Sequence, residues 1–260
     1  MNRNDIKEKI DDFASAALMA REAGFDAVEI HAGHGYLLSQ FLSPWTNKRK
    51  DEYGGTLENR MRFPVEVIRK MKKAVGKDFP VLVKMNQRDG MQGGLEQEEA
   101  VHIAKAFENA GADALIPSAG FTSKVPFLML RGNLPVEEMA RNRKSYFDKI
   151  GIKLFGKLMV PEHPWEPMFL SEGASEIAKA VNIPVIFIGG LQTGEDIGKA
   201  LEMGASFVQV GRATIQDPDF VNKLRSGEIT ASPCDHCNRC VAAMDAGGVY
   251  CVSNEKGFLG

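Results

Sequence analysis

The sequence predicts an α/β fold built on parallel strands. Two observations carry this. First, an amphipathic helical stretch runs three times through a glycine into a short apolar strand: "DFASAALMAREAGFDAVEI" over 12–30, "EAVHIAKAFENAGADALI" over 99–116 and "GEDIGKALEMGASFVQV" over 194–210. The apolar residues keep helical spacing up to the glycine. Gly24, Gly111 and Gly204 then stand where a left-handed C-cap would end each helix. Second, "FPVLVKMN" at 79–86 and "IPVIFIGG" at 183–190 are nearly continuous apolar runs. Runs of that kind are expected to be buried on both faces, as in a parallel sheet covered by helices.

Taken in order, the expected strands are 27–31, 80–86, 113–118, 184–188 and 206–211, with helices over 56–75, 96–110 and 194–203. Residues 120–170 break the rhythm with Pro126, Pro135, Pro161, Pro164 and Pro167 and several aromatic residues. They are expected to form an inserted cap over one end of the sheet, part helix and part loop. The chain thus divides into a β/α domain over 1–225 and a cysteine-rich segment over 226–260. Two architectures compete, an eight-stranded barrel and an open doubly wound sheet. No GxGxxG follows a first strand.

Bulk properties narrow the function classes. The 260 residues are 44% hydrophobic, with a formal net charge of -2. That balance makes no electrostatic case for nucleic acid or an anionic membrane. No apolar stretch approaches the roughly 20 residues of a membrane span. The opening "MNRNDIKEKIDDF" is charged and polar, unlike a secretory signal. The expected location is cytoplasmic, where clustered cysteines are reduced thiols or metal ligands rather than disulfides.

In a β/α barrel the chemistry sits at the C-terminal ends of the strands. The first strand leads into His31, His34 and Tyr36, and the second carries Lys84, Asn86 and Arg88 near its end. Gly189 and Gly190 follow the fourth, and Gly211 and Arg212 the fifth. Adjacent glycines let backbone N–H groups approach an anion, a helix starting at 194–197 adds its positive end, and Arg212 offers a bidentate fork. Singly, these are turn glycines and a surface arginine; at consecutive strand ends they read as a phosphate site. Two neutral histidines offer two donors to one carbonyl or nitro oxygen, and Tyr36 a proton. A metal pair or a structural turn is the alternative. Cys234, Cys237, Cys240 and Cys251 have the spacing C-x2-C-x2-C-x10-C, which suits tetrahedral zinc or a four-iron cluster, with His236 a further ligand candidate.

The run "EIHAGHGYLLSQFLSPWTNKRKDEYGGTLENRMRF" resembles the signature region of the Old Yellow Enzyme family of FMN-dependent ene-reductases, including the barrel domain of bacterial 2,4-dienoyl-CoA reductases. The resemblance continues through "PVLVKMN", "IPVIFIGG" and "FVQVGRATIQDPDF". It implies a TIM barrel with FMN at its C-terminal face and NAD(P)H as reductant. It implies that His31 and His34 hold the electron-withdrawing group of an enone or enoyl substrate and that Tyr36 protonates the alkene carbon. It places Lys84 near the flavin ring, and Gly189, Gly190, Gly211 and Arg212 around the phosphate. The cysteine run resembles the iron–sulfur ligands of the dienoyl-CoA reductase branch, although two residues, Asn238 and Arg239, stand where that branch more often has three. Family members begin with three more β/α units, so the expected architecture is an incomplete barrel of about five units. Its open edges are expected to pair with an N-terminal barrel segment or a second copy. Two further readings are a non-catalytic oligomerising or electron-transfer module, and a flavin-free phosphate-ligand enzyme with Lys84 as Schiff-base lysine.

Overall fold

The computed structural model describes residues 1–244 and 248–253. The chain runs α1 (Arg3–Glu22), β1 (Val28–Ala32), α2 (Leu37–Leu42), α3 (Leu57–Val75), β2 (Val81–Arg88), α4 (Gln97–Ala110), β3 (Ala114–Ala119) and a 3-10 turn at Pro126–Leu128. It continues through α5 (Val136–Arg141), α6 (Tyr146–Met159), α7 (Ser171–Ala180), β4 (Ile186–Ile188), α8 (Gly194–Glu202), β5 (Phe207–Gln209), α9 (Arg212–Gln216), α10 (Phe220–Ser226) and α11 (Arg239–Ala243).

Local chemistry sets each helix–strand junction. The N–H of Gly24 bonds Arg21 O and that of Phe25 bonds Ala20 O, the paired closure of a Schellman motif. Gly111 with Ala112, and Gly204 with Ala205, repeat it on the carbonyls of Glu108 and Phe107 and of Leu201 and Ala200. All three glycines have φ between 87° and 106°, where a side chain is strained. Each helix therefore stops at a fixed angle and hands the chain to a strand within a few residues.

The strands follow chain order in space. β1, β2 and β3 pair in parallel, β4 pairs β5 in parallel, and a parallel bridge from Leu115 to Val185 joins the two ladders. A doubly wound sheet reverses its order at a switch point; this one does not. The result is an α/β arc of five parallel strands, part of a barrel wall. Helices cover its convex face. Ile30, Ala32, Val81, Val83, Met85 and Leu115 form the core there with Phe63, Val67 and Ile68 of α3 and Ile103 and Phe107 of α4. Arg60, 4% exposed, ties α3 to Glu99 of α4 and to the carbonyl of Leu42.

Two expectations need correcting. Burial on both faces was expected of the runs at 79–86 and 183–190, but β2 is only half-buried at Leu82, Lys84 and Arg88 and β4 at Ile186 and Ile188, whereas β3 is buried throughout. The helix side is packed, whereas among the described residues no opposite wall covers the concave side. β4 and β5 are also shorter than the expected 184–188 and 206–211, because ladder pairing is confined to three residues each. Residues 120–170 do carry helices, α5 and α6. Phe121, Val125 and Leu128 pack with Leu170, Trp45, Phe169 and Ile188 over the C-terminal ends of the strands.

Two substitutions separate packing from backbone geometry. Phe107→Ala, at a fully buried site, should cost about 3–5 kcal/mol. Gly24→Ala, where a Cβ meets nothing within 4 Å, should cost roughly 1–2 kcal/mol from the left-handed backbone alone. Denaturant titration of both variants checks the ratio.

Candidate functional site

The ends of β1, β2 and β3 are tied together by one side chain. Asn86 Oδ1 accepts the His34 N–H at 3.0 Å, and Asn86 Nδ2 donates to Gly120 O and Asp89 Oδ1, each at 2.8 Å. Asn86 is 4% exposed and Asp89 1%. His34 is pulled into the left-handed region at φ 57°. Gly35 follows at φ 81°, and a Cβ there would lie 2.5 Å from the Phe121 ring. The "HGHG"-like turn of the sequence, "HAGHG", is therefore shaped by contacts to the next two strands.

That turn brings the histidines and the tyrosine together. The His31 ring lies 4.8 Å from the ring of His34 and 4.8 Å from that of Tyr36. His31 Nδ1 accepts the Gly33 N–H at 3.2 Å, so a neutral His31 carries its proton on Nε2, free to donate. His34 Nε2 sits 2.6 Å from Ser118 Oγ on β3. Burial, then the nearby His31 and Lys84, lower the His34 pKa to about 3. Burial, then Lys84, also lowers that of His31, against the pull of Glu29. Both rings are thus kept neutral as donors. Tyr36, half exposed, caps α2.

Lys84 lies opposite His31 in the β1–β2 register, and its Nζ pairs with Glu29 Oε1 at 2.6 Å. Glu29 is exposed on the concave face, where this pair forms. Sequence reasoning missed Ser118 and the bridging role of Asn86. Both are ordinary polar residues whose partners lie 84 and 52 positions away.

Lys84 also lines a cavity of about 510 Å³, together with Gly189, Gly190, Gly211 and Arg212. The structure so joins the phosphate-site candidates to the end of β2. Gly189 and Gly190 have φ of 90° and 74°, and a Cβ on Gly190 would lie 2.6 Å from Glu166 O and Met168 N. Arg212 Nη1 donates to the carbonyls of Leu130 and Arg131 and to Asn238 Oδ1. No carboxylate is among these partners, and burial lowers the guanidinium pKa against the pull of nearby thiols. Trp165 and His236 stack at 4.2 Å on the wall of the same cavity. The helix start expected at 194–197 does not serve it. Thr193 and Asp196 close a capping box there, and the Gly194 N–H bonds Thr230 O, so the chain itself fills that helix end.

Cys234, Cys237, Cys240 and Cys251 all line one small cavity of about 50 Å³ beside Arg212. The donor chemistry suits zinc or iron, but among the described residues no three His, Cys, Asp or Glu side chains converge as metal ligands. Burial raises the pKa of Cys237 and Cys240.

Comparison with known proteins now bears on the site. Residues 1–122 match the NADH:flavin oxidoreductase / NADH oxidase family, and residues 171–217 match the FMN-dependent dehydrogenase family. The chain belongs to the NADH:flavin oxidoreductase, or Old Yellow Enzyme, family. It is 35% identical to a 4,4'-dithiodibutanoate disulfide reductase of Rhodococcus erythropolis over 95% of this chain and 61% of that protein. It is 39% identical to an NADH oxidase of Thermoanaerobacter brockii over 90% of this chain and 32% of that protein. A 2-naphthoyl-CoA reductase structure matches 96% of this chain and 34% of its own at TM-score 0.75 and 26% identity. The Old Yellow Enzyme homologue of Zymomonas mobilis matches 90% and 56% at TM-score 0.63 and 25% identity. The chain thus spans between a third and three-fifths of these relatives. For an FMN-binding family, the 510 Å³ cavity fits the phosphate end of the cofactor. It has glycine walls and a half-buried cation without a carboxylate partner among the described residues.

The neutral state of His34 has a pH signature. Unfolded, its pKa returns to about 6.5, so below that pH the unfolded chain binds a proton that the folded chain refuses. Stability contributed by this ring is complete above pH 6.5 and falls as pH drops toward its folded value of about 3. Between pH 7 and pH 5 the loss should be about 2 kcal/mol, and His34→Asn should remove that share. Denaturant midpoints at the two pH values check it.

Proposed function

We propose that the chain forms the phosphate and substrate-polarising side of an FMN-dependent, NAD(P)H-driven ene-reductase site. The observation that carries this reading is the position of Lys84. It is paired in register with His31 of the His31–His34–Tyr36 cluster and also lines the cavity walled by Gly189, Gly190, Gly211 and Arg212. A flavin with its phosphate at Arg212 and its ring toward Lys84 would meet a substrate held at the histidines.

Reduced FMN, when bound, supplies hydride to the β-carbon of an activated alkene. The chain's own residues do the rest. Neutral His31 and His34 donate to the carbonyl or nitro oxygen of an enone or enoyl substrate, stabilising the charge that builds there. Ser118 fixes the orientation of the His34 ring. The Tyr36 hydroxyl delivers the proton to the α-carbon. The relatives named a cinnamate reductase and a 2-naphthoyl-CoA reductase support an activated, conjugated substrate.

Two experiments test this. Titration with FMN, followed by the shift of its visible bands, should show saturable binding that Arg212→Ala weakens by about 10- to 100-fold; no binding by the unaltered chain would remove the flavin reading. Tyr36→Phe should slow enone reduction by about 100-fold or more while leaving flavin reduction by NAD(P)H intact. Equal loss of both steps would take the proton-donor role from Tyr36.

A further inference from the structure

The cap turns an apolar surface to solvent. Tyr146, Phe147, Ile150, Leu154, Phe155 and Leu158 of α6 are between 39% and 85% exposed. Phe147, Ile150, Leu154 and Leu158 recur at three- and four-residue spacing, so they form one stripe along the helix, with Tyr146 and Phe155 at its margins. The opposite side of α6 is the packed one. Gly156 is buried, and a Cβ there would lie 3.3 Å from Val136 of α5. The helix is amphipathic in the reverse of the usual sense, with its apolar stripe outward.

Area and charge together select the occupant. Large apolar side chains at these exposures present roughly 800 Å². That exceeds the roughly 300–600 Å² of the largest patch on a typical monomer and matches one side of a standard protein interface. An anionic bilayer would be met by lysines left unpaired beside the apolar stripe. Here Lys153 pairs with Glu137 at 2.6 Å and Lys157 lies 3.9 Å from Glu162. Arg239 pairs with Glu138 of α5 at 2.8 Å. Ion pairs to Glu137, Glu138 and Glu162 thus run along the border, as in the polar rim of a protein–protein contact. A self-complementary patch of one chain needs no partner of opposite sign.

We propose that α6 is a self-association surface, and that its Phe147–Leu154–Leu158 stripe packs on the same stripe of a second copy about a two-fold axis. The α5–α6 hairpins of the two copies then form a four-helix contact.

Sedimentation equilibrium over a concentration series tests it. The unaltered chain should reach the mass of two chains at micromolar concentration. Phe147→Glu combined with Leu154→Glu should weaken association at least 100-fold with the circular dichroism spectrum unchanged. Single-chain mass for the unaltered protein would overturn the proposal, whether it stays free or co-sediments with phosphatidylserine vesicles. So would two-chain mass in the double variant, since association would then run through another surface such as the strand edges of the arc. If the double variant does not fold, hydrogen exchange of the unaltered chain decides. Amides over 146–158 should exchange more slowly at high than at low concentration, and equal exchange would sink the idea.

Discussion

The Asn86 side chain is the constraint on which the rest of the site depends. A buried primary amide has one acceptor oxygen and two donor hydrogens to satisfy, and leaving any of them unpaired is costly. Here each goes to a different piece of chain: the His34 N–H after β1, the Gly120 carbonyl after β3, and Asp89 after β2 itself. Three strand ends are thereby locked at one height. The left-handed backbone of His34 follows, since its N–H must point at Asn86. Ser118 is the register partner of Asn86, which puts its hydroxyl within reach of the His34 ring. One amide thus sets both the backbone and the ring orientation of a candidate catalytic histidine.

What the sequence disclosed and what it hid divide along one line. Features set by neighbours in the chain were legible. The three helix–glycine–strand junctions close as Schellman motifs because their partners lie within five residues. The crowding of His31, His34 and Tyr36 was legible because they sit on one short turn. Features set across the fold were not. Nothing local marks Ser118 or Asn86 as partners of His34, or places Glu29 on an open face where it pairs with Lys84. The cysteine spacing suggests a metal because spacing is a local property; that the four thiols gather on one small cavity is a property of the fold.

The same distinction explains one electrostatic misreading. Helix α8 was expected to lend its positive end to an anion, yet Asp196 supplies that negative charge from within, three residues on from its cap. The overall charge of -2 makes no electrostatic case for nucleic acid or an anionic membrane, and a sum over the chain is silent about one helix. Periodicity shows that α6 has an apolar side. It cannot show whether that side faces the core, and the buried glycine at its back reverses the usual answer.

Burial acts in the same direction at the two ends of the concave face but with opposite outcomes, and the proposed chemistry needs both. Taking a cation out of water disfavours its charge. Histidine starts at about 6.5, so the shift leaves His34 neutral at any physiological pH. Arginine starts above 12, so the same effect on Arg212 leaves it charged. A carbonyl oxygen that gains charge only during reaction is best met by neutral donors, which do not bind it tightly beforehand. A phosphate that carries its charge throughout is best met by a permanent cation. Between them, Glu29 neutralises Lys84, the one further cation that the β1–β2 register places beside His31. The order along the arc is therefore neutral donors, a compensated pair and an uncompensated guanidinium. That gradient distinguishes one end of a long anionic cofactor from the substrate beside its other end.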